Sequence, residues 1–416
     1  MRRSIGIAAA ACMLVSTAAL SATDPVLEWN AIMVSTTAGQ NPIVQARFAA
    51  ITQLAVFEAV NAIERDFDPY LGTVAARRTA SAEAAAVAAA FTVLKEYFPQ
   101  APGLEDARDA SLGRIKDGIA KQEGLAVGMA AATAMIALRT DDGSAPPEFY
   151  MPQSNDAGDW QLTPSCPAAG GVLLHWRNLR PFAIETTHQF RSAPPPALKS
   201  RRYVRDYNEV KLVGDVDSPF RPQDRADVAL FYAATGPVAV WNAAASQVAV
   251  QQGRSMSESA RALALVNMAI SDAQATVFET KYFYNFWRPE TAIRAGNADG
   301  NPYTHGDPDF KPFVVTPCFP SYGSGHGSSS NAAREVLERV FGPRHHFIEL
   351  RNPAVANVVL QYGNFRQMTS DIDDARVYGG IHFRFDQEAG GKLGRQVGAY
   401  VHRNSLRRAH DKGECR

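Results

Sequence analysis

Phe319-Pro320-Ser321-Tyr322-Gly323-Ser324-Gly325-His326-Gly327-Ser328 is the stretch from which the other features of the chain can be interpreted. It is rich in glycine and serine, carries one histidine and runs into an amphipathic helical pattern that ends at Phe341. Serines at the boundary can cap that helix. Gly323, Gly325 and Gly327 permit left-handed backbone angles and a close approach of the backbone to a ligand. Because amides at a helix N-terminus bind oxyanions, the stretch indicates a site for a phosphate-like anion.

The remainder of the chain is predicted to be mostly helical, because alanine is abundant and alternating β-branched runs are few. Helical apolar spacing predicts helices at residues 28–35, 44–63, 81–97, 104–117, 122–140, 201–213, 224–234, 237–250, 258–287, 335–341, 357–368 and 380–403. Residues 141–198 and 297–319 show little periodicity and are predicted as loops. We therefore expect an all-α protein with one large helical domain over residues 23–416.

Composition narrows the class of protein. The chain has 42 Lys and Arg against 42 Asp and Glu, which argues against a nucleic-acid binder driven by phosphate attraction. Residues 1–22 have the layout of a signal peptide, with a basic start, a short apolar run and a small residue before the cut. We expect a secreted or periplasmic protein that begins near Thr23. No later stretch has about 18 consecutive apolar residues, so no membrane span is expected.

Three cysteines remain after that cut, namely Cys166, Cys318 and Cys415. An odd number allows at most one disulfide and leaves one thiol. The sequence does not settle the pairing. We favour Cys166 with Cys318, because both lie in predicted loops near the proposed site.

A second block with chemical potential, residues 281–289, precedes the glycine-rich loop. Seven residues are nearly two helical turns, so Lys281 and Arg288 are predicted on one face of a helix. Pro289 ends the regular helix at that point and frees Arg288 to turn inward. Alone, the pair also fits two surface cations whose stems cover apolar neighbours.

The third block runs from Arg376 to Asp386. Arg376 and His382 would lie on different faces of one continuous helix, but Gly379-Gly380 can break it and return Arg376 toward the histidine. Asp386 follows His382 by one helical turn and can orient the imidazole through its other nitrogen.

Together the three blocks supply a lysine, two arginines, a serine hydroxyl, glycine amides and two histidines. This set suits a tetrahedral or trigonal-bipyramidal oxyanion, with a ligand or nucleophile and an acid–base group beside it. A metal hydrolase would need converging carboxylates, and Asp371, Asp373 and Asp374 are candidates, although after Ser370 they resemble a capped helix start. A serine hydrolase is disfavoured, because Ser324-Gly325-His326 departs from the Gly-X-Ser-X-Gly turn.

The three blocks resemble the signature shared by vanadium-dependent haloperoxidases and type 2 phosphatidic acid phosphatases. That signature is Lys, six residues, Arg-Pro; then Ser-Gly-His; then Arg, three residues, Gly, one residue, His, three residues, Asp. The chain meets it at Lys281, Arg288, Pro289, Ser324, Gly325, His326, Arg376, Gly380, His382 and Asp386. Ala375 stands where the family usually has Ser, which removes a hydroxyl but no oxyanion ligand. The resemblance places the site within about residues 270–390 and implies a helical-bundle fold of the haloperoxidase and acid phosphatase type.

The same resemblance implies vanadate as cofactor, with His382 as the ligand of the metal. The vanadate oxygens would be held by Lys281, Arg288, Ser324, the Gly325 amide and Arg376. His326 would be the acid–base group, and Asp386 would support His382. Vanadium in its highest oxidation state would act as a Lewis acid on hydrogen peroxide, so that a halide is oxidised to hypohalous acid.

The branch of the superfamily and the halide stay open. Phe319 stands where algal bromoperoxidases have a second His, as in fungal-type chloroperoxidases, whereas Phe278 stands where the fungal type has a Trp at the halide site. Bromide or iodide is therefore a safer prediction than chloride. An acid phosphatase with His382 as nucleophile and His326 as general acid is the alternative, and a non-catalytic oxyanion-binding protein is a third possibility. An organic acceptor and a homodimer are further open expectations.

Overall fold

The computed structural model describes residues 24–409, which form a helical bundle with one small sheet. Its helices are α1 (Pro25–Thr37), α2 (Pro42–Glu64), α3 (Ala82–Tyr97), α4 (Leu104–Gly113), α5 (Ile119–Leu138), α6 (Arg201–Val213), α7 (Gln223–Ala234), α8 (Pro237–Gln251), α9 (Met256–Tyr284), α10 (Pro289–Arg294), α11 (Gly325–Phe341), α12 (Phe365–Tyr378) and α13 (Arg384–Asn404). Strands β1 (Ile348–Arg351) and β2 (Val359–Tyr362) pair antiparallel, with Ile348 opposite Tyr362. The all-α prediction is confirmed. The predicted signal peptide and Cys415 lie outside the described residues.

Two long helices, α2 and α9, run through the core and are buried along most of their lengths. A window of 18 residues in α2 is apolar enough to cross a membrane, yet 89% of it is buried inside the protein. Its apolar side chains are therefore accounted for by packing in the core.

Helix α9 is predicted well at its start and less well at its end. A capping box of Ser255 and Glu258 fixes the first turn, since each side chain accepts from the other residue's backbone N–H. The sequence predicted a helix through Trp287, but α9 ends at Tyr284. Asn285 adopts a left-handed conformation (φ 48°) there, which asparagine tolerates better than most residues.

Helices α11 and α13 pack unusually closely, because glycines spaced by four residues line one face of α13. A Cβ atom would lie 2.5 Å from the carbonyl oxygen of Ser324 if placed on Gly390, and 2.0 Å from that of Ser328 if placed on Gly394. The starts of both helices are also joined directly, since the Ser324 N–H donates to the carbonyl of Asp386 (2.8 Å). The backbone of one helix thus lies against the backbone of the other.

Several local predictions near the C-terminus are wrong. Residues 357–368 were predicted as one helix but contain β2 and only the start of α12, because Gly363 and Asn364 separate them and Asn364 caps α12. Asp371, Asp373 and Asp374 therefore lie inside α12 instead of beginning a helix.

The glycines of the loop do not use the left-handed angles that they permit. Gly323, Gly325 and Gly327 are not left-handed, because α11 begins at Gly325 and takes up the last two. The left-handed glycine is Gly380 (φ 79°), which makes the predicted break after α12, and α13 consequently begins at Arg384 and not at Gly380.

The long segment 141–198 has little regular structure, as predicted, and is fastened to the helical core. The Asp272 carboxylate on α9 accepts from the backbone N–H groups of Phe182, Ala183 and Ile184. A disulfide joins Cys166 to Cys318, which is the pairing favoured from the sequence. This loop is therefore a wall of the folded domain.

We expect Gly394→Ala to lower the free energy of unfolding by about 1–3 kcal/mol, because the new methyl group meets backbone that cannot move aside. Denaturant unfolding followed by circular dichroism measures the change. Gly113→Ala at the end of α4 is the matched control, since its Cβ would meet nothing within 4 Å. Equal stabilities for the two variants would contradict the close approach of α11 and α13.

Candidate oxyanion site

Aromatic residues beside each of the three sequence blocks pack into one buried cluster. Phe286 precedes Arg288, Tyr322 precedes Ser324, and Phe383 and Phe385 follow His382. The ring centroid of Phe286 lies 6.4 Å from that of Tyr322, 6.1 Å from that of Phe383 and 5.8 Å from that of Phe385. Contacts between these aromatic rings therefore bring together three segments that are distant in the sequence.

Lys281 and Arg288 are fully buried and reach the glycine-rich loop from α9 and from the residue before α10. The Lys281 Nζ donates to the carbonyls of Pro320 (2.9 Å) and Ser321 (2.8 Å). The Arg288 Nε donates to the carbonyl of Phe319 (2.8 Å). Neither cation forms an ion pair in the described part of the chain, and the surface interpretation of the pair is therefore wrong.

His382 is held by Asp386, as the spacing predicted. The His382 Nδ1 lies 2.8 Å from the Asp386 Oδ2, which also accepts from the Ser321 hydroxyl (2.6 Å) and from the Phe383 N–H (3.2 Å). On the other side of the ring, Nε2 lies 3.1 Å from the Arg288 Nη1. In a neutral ring the Nδ1 therefore carries the proton, and the Nε2 lone pair is directed to the cationic side.

Ser324 is the N-cap of α11, and Gly325 and His326, which begin this helix, line one cavity with His382. The Ser324 hydroxyl caps the helix by accepting from the Gly327 N–H (3.1 Å), which leaves its own proton available to an anion. The first amides of a helix have no acceptors within it, so the N–H groups at Gly325 and His326 add donors at this end.

Arg376 completes the site from the last turn of α12. One of its nitrogens donates to the carbonyl of Tyr232 (3.2 Å), whereas its buried Nε lacks an acceptor among residues 24–409. The same holds for the Nη2 of Arg288. Buried guanidinium donors without acceptors are costly, and their presence beside a helix N-terminus indicates an anionic ligand with several oxygen atoms.

The accumulated positive charge shifts the pKa values of the site. Burial and, after it, the charge of Arg288 lower the pKa of Lys281 well below its usual value. Burial, Arg376 and Lys281 do the same to the pKa of His326. Burial and the neighbouring cations also lower the pKa of His382, so both imidazoles are neutral at pH 7 in the free protein. Asp386 and Glu290 are the carboxylates that act on Arg288, and burial raises the pKa of Asp386 to about 6.

A cavity of about 370 Å³ opens onto this site. Its inner end is formed by Gly325, His326, Arg376 and His382, and much of its remaining wall is apolar. Phe278 and Phe319 both line it, with ring centroids 5.0 Å apart, and Phe319 also lies 4.9 Å from the Arg288 guanidinium carbon. The two residues predicted from the halide site therefore border the cavity together.

The metal-hydrolase alternative does not fit this arrangement. Asp371 and Asp374 pair with Arg225, and Asp374 pairs also with Arg384. Within residues 24–409, no group of three or more His, Cys, Asp or Glu side chains converges on a position for a metal ion. These aspartates therefore do not form an alternative to the cationic site.

Two residues at the site were not singled out from the sequence. Ser321 bridges the loop to Asp386, and Gln274 lies in the cavity wall two turns before Lys281 on α9. No motif marks Ser321. Gln274 had a signal, because its spacing of seven from Lys281 puts both on one helix face.

The fold and the site define a helical-bundle protein built to hold a tetrahedral oxyanion next to a histidine. Residues 261–411 match the family model described as the second helical-bundle domain of vanadium chloroperoxidase (VCPO). The vanadium chloroperoxidase of Curvularia inaequalis is 33% identical over 95 residues, which is 20% of this chain and 15% of that protein. Residues 261–411 of the chain thus resemble this domain of the vanadium chloroperoxidases, as the signature residues indicated.

Solved structures share the overall fold. A bacterial vanadium-dependent iodoperoxidase superposes with a TM-score of 0.77 at 24% identity, covering 94% of this chain and 97% of that one. A holo-type bacterial vanadium-dependent chloroperoxidase gives a TM-score of 0.72 at 16% identity, covering 88% and 93%. At these identities the likeness concerns the fold.

We expect the protein to take up protons from the buffer when it binds tungstate at pH 7. A tungstate dianion carries no proton at this pH and offsets the charge of Lys281, Arg288 and Arg376. The lowered pKa of His326 then rises, and a rise at fixed pH increases the protonation of this imidazole. Calorimetric titration in two buffers of different ionisation enthalpy measures the number of protons.

His326→Gln should reduce this uptake. His402→Gln is its control, because burial lowers the pKa of His402 to about 4 but His402 lines a different cavity. Net release of protons by the unaltered protein would show that the cations do not face the bound anion.

Proposed function

We propose that this protein is a vanadium-dependent haloperoxidase, which uses hydrogen peroxide to oxidise a halide to hypohalous acid. The observation that carries the proposal is the arrangement around His382. Its Nε2 lies 3.1 Å from the Arg288 Nη1, its ring is within electrostatic reach of Lys281 and Arg376, and it lines one cavity with the start of α11. The named activities of the similar proteins, iodoperoxidase and chloroperoxidase, support the same reaction.

The residues fit vanadate on chemical grounds. Unpaired buried donors on Arg288 and Arg376 require an acceptor with several oxygens. Gly325 lines the cavity, and a Cβ there would contact the Gln274 Oε1 at 3.4 Å. We therefore assign the vanadate oxygens to Lys281, Arg288, Arg376, the Ser324 hydroxyl and the Gly325 amide, and the metal to the His382 Nε2.

Bound vanadate in its highest oxidation state supplies a Lewis acid that polarises hydrogen peroxide toward attack by a halide. Asp386 fixes the His382 tautomer and offsets part of the charge on that ring. His326 is neutral at pH 7 and lines the same cavity, so it can accept a proton from hydrogen peroxide as it enters. The cations of the site attract a halide ion electrostatically.

Bromide or iodide is the proposed substrate in preference to chloride, because both are easier to oxidise. Phe278 and Phe319 would form the apolar side of the halide position. We also propose export to a secreted or periplasmic location, which the Cys166–Cys318 disulfide supports because disulfides persist in oxidising compartments. A single domain over residues 23–416 and a homodimer are further parts of this proposal.

The test is halide-dependent consumption of hydrogen peroxide by purified protein, with and without added orthovanadate. We expect oxidation of iodide or bromide that depends on vanadate, and loss of at least 10³-fold in His382→Ala, which removes the proposed metal ligand. Release of phosphate from a phosphomonoester, inhibited by vanadate and without halide oxidation, would overturn the proposal in favour of the acid phosphatase alternative.

Asp386→Asn should weaken vanadate binding by about 10- to 100-fold, because a residue that orients a metal-binding histidine is replaced by a neutral one. Vanadate affinity is measured by reactivation of the vanadate-free protein. Asp373→Asn is the matched control, since burial raises the pKa of this α12 carboxyl to about 7 and it lines no part of the cavity. Equal affinities in the two variants would remove Asp386 from the proposed site.

His326→Ala should reduce halide oxidation by about 10²- to 10⁴-fold while vanadate still binds, because it removes the proposed proton acceptor and no proposed metal ligand. Steady-state rates at saturating vanadate separate the two effects. An unchanged rate would assign proton transfer to another group.

A further inference from the structure

A second cavity, which we call the basic cavity, has a volume of about 440 Å³ and is lined mostly by cationic side chains. It is formed by the start of α9, the ends of α11 and α13 and the residues that follow α13. Arg261 precedes Lys281 by 20 residues on α9, so this cavity lies about 30 Å along that helix from the oxyanion site. Six of its lining residues are arginines, namely Arg254, Arg261, Arg339, Arg403, Arg407 and Arg408.

Not all of these arginines are balanced by a carboxylate of their own. Glu258 is shared between Arg254 and Arg408, each of which has a guanidinium nitrogen 3.3 Å from its Oε1. The Arg403 Nε donates to the neutral carbonyl of Ala399 (3.2 Å), and Arg403 pairs with no carboxylate among residues 24–409. Positive charge therefore remains in the basic cavity, where a bound anion would offset it.

Helix dipoles account for only part of this cluster. Arg339 and Arg403 lie in the last turns of α11 and α13, where cations are favourable. Arg254 and Arg408 instead meet at Glu258 in the first turn of α9, which is the positive end of that dipole. Anions are favoured at such an end and cations are not. The positions of these two arginines are therefore better explained by an anionic ligand than by stabilisation of the helix.

The arginines are held in place from behind, on the buried ring of Phe67. The guanidinium carbons of Arg261 and Arg408 lie 5.0 Å and 5.9 Å from the centroid of this ring. The Arg261 Nε also donates to the carbonyl of Leu406 (2.6 Å), and the backbone of Arg408 pairs with that of Phe67 in an antiparallel bridge. Donors that are fixed in advance bind a ligand at a lower cost in conformational entropy.

His402 lines the same cavity and responds to its positive potential. Burial and, after it, the charges of Arg261 and Arg339 lower the pKa of His402 to about 4. The imidazole is therefore neutral at pH 7. A neutral ring still has one N–H group, so His402 adds a hydrogen-bond donor to the arginines without adding to their mutual repulsion.

We propose that the basic cavity binds a small molecule, free in solution, that carries two or more phosphate groups. Guanidinium groups match phosphate oxygens in a bidentate arrangement, and cations contributed by separate elements suit a ligand with several anionic groups. One tetrahedral anion needs on the order of 100 Å³, judged from about 30 Å³ per water molecule, whereas the cavity holds about 440 Å³. The proposal does not depend on the haloperoxidase reaction.

Calorimetric titration with sodium tripolyphosphate at pH 7 and low ionic strength tests the proposal. Tungstate is present at the lowest concentration that saturates the oxyanion site, so that this site does not bind the probe. We expect one tripolyphosphate per chain, bound at least tenfold more tightly than orthophosphate, because only the longer anion reaches arginines on several elements. Equal affinities would overturn the assignment to a ligand with several phosphate groups, and absence of binding would reject the site.

Arg339→Gln combined with Arg408→Gln removes two charges that reach the basic cavity from different elements. Both side chains are partly exposed, at 41% and 63%, so the exchange leaves the core intact. We expect the affinity for tripolyphosphate to fall at least tenfold, while the affinity of the oxyanion site for tungstate stays within about twofold. An unchanged affinity for tripolyphosphate would show that it binds elsewhere and would overturn the proposal.

Arg78→Gln combined with Arg366→Gln is the matched control. It removes the same total charge from two exposed arginines that line no part of the basic cavity. The control should keep the affinity of the unaltered protein for tripolyphosphate. A loss as large as that of the cavity variant would assign the binding to the net charge of the whole protein and would reject a defined site.

Co-sedimentation with vesicles tests the other source of the same chemistry, since the headgroup of cardiolipin also carries two phosphates. Vesicles of phosphatidylcholine and cardiolipin are compared with vesicles of phosphatidylcholine alone. We expect no binding to either, because the arginines line a recess and not a flat surface. Binding to the cardiolipin vesicles without binding to tripolyphosphate would overturn the assignment to a ligand that is free in solution.

Discussion

The close approach of α11 and α13 is the constraint on which the site depends. Glycines on α13 let its backbone lie against that of α11, and the Ser324 N–H donates to the carbonyl of Asp386 where both helices begin. The anion-binding end of α11 and the residue that holds His382 are thus fixed relative to each other by main chain alone. A larger side chain between the helices would separate the histidine from the amides that face it, even with every site residue unchanged.

Burial of three cations is the second feature that the fold must sustain. Lys281 and Arg288 reach neutral backbone carbonyls of the loop at residues 319–321, which satisfies part of their hydrogen bonding without neutralising their charge. The unpaired nitrogens of Arg288 and Arg376 remain. Three buried cations are costly when the nearby carboxylates offset only part of their charge, so the packing around them must sustain the arrangement, and a bound anion would offset the remainder. Relief of this electrostatic cost then contributes to the affinity for the anion.

Spacing predicted the contact between His382 and Asp386, but the structure makes it in another way. His382 precedes α13, and Asp386 in the first turn of that helix accepts from the Phe383 N–H and contacts the His382 Nδ1. The class of fold was equally accessible, because long alanine-rich apolar repeats have few other solutions. Residues 357–368 were misjudged because a short β-strand and the first turn of a helix have a similar apolar pattern when read without their partners. The contribution of Ser321 could not be predicted, because it depends on two segments meeting in space.

The sequence predicted that the glycine-rich loop belongs to the site, but not what its glycines contribute. A glycine-rich stretch before a helix suggests unusual backbone angles, yet α11 incorporates Gly325 and Gly327 with helical ones. Their small size matters instead, since a Cβ on Gly327 would lie only 3.1 Å from the side-chain oxygen of Gln387 on α13. The same lack of side chains that permits helix packing also leaves amides accessible to an anion. The same glycine residues therefore serve both the packing of the helix bundle and the binding of an anion.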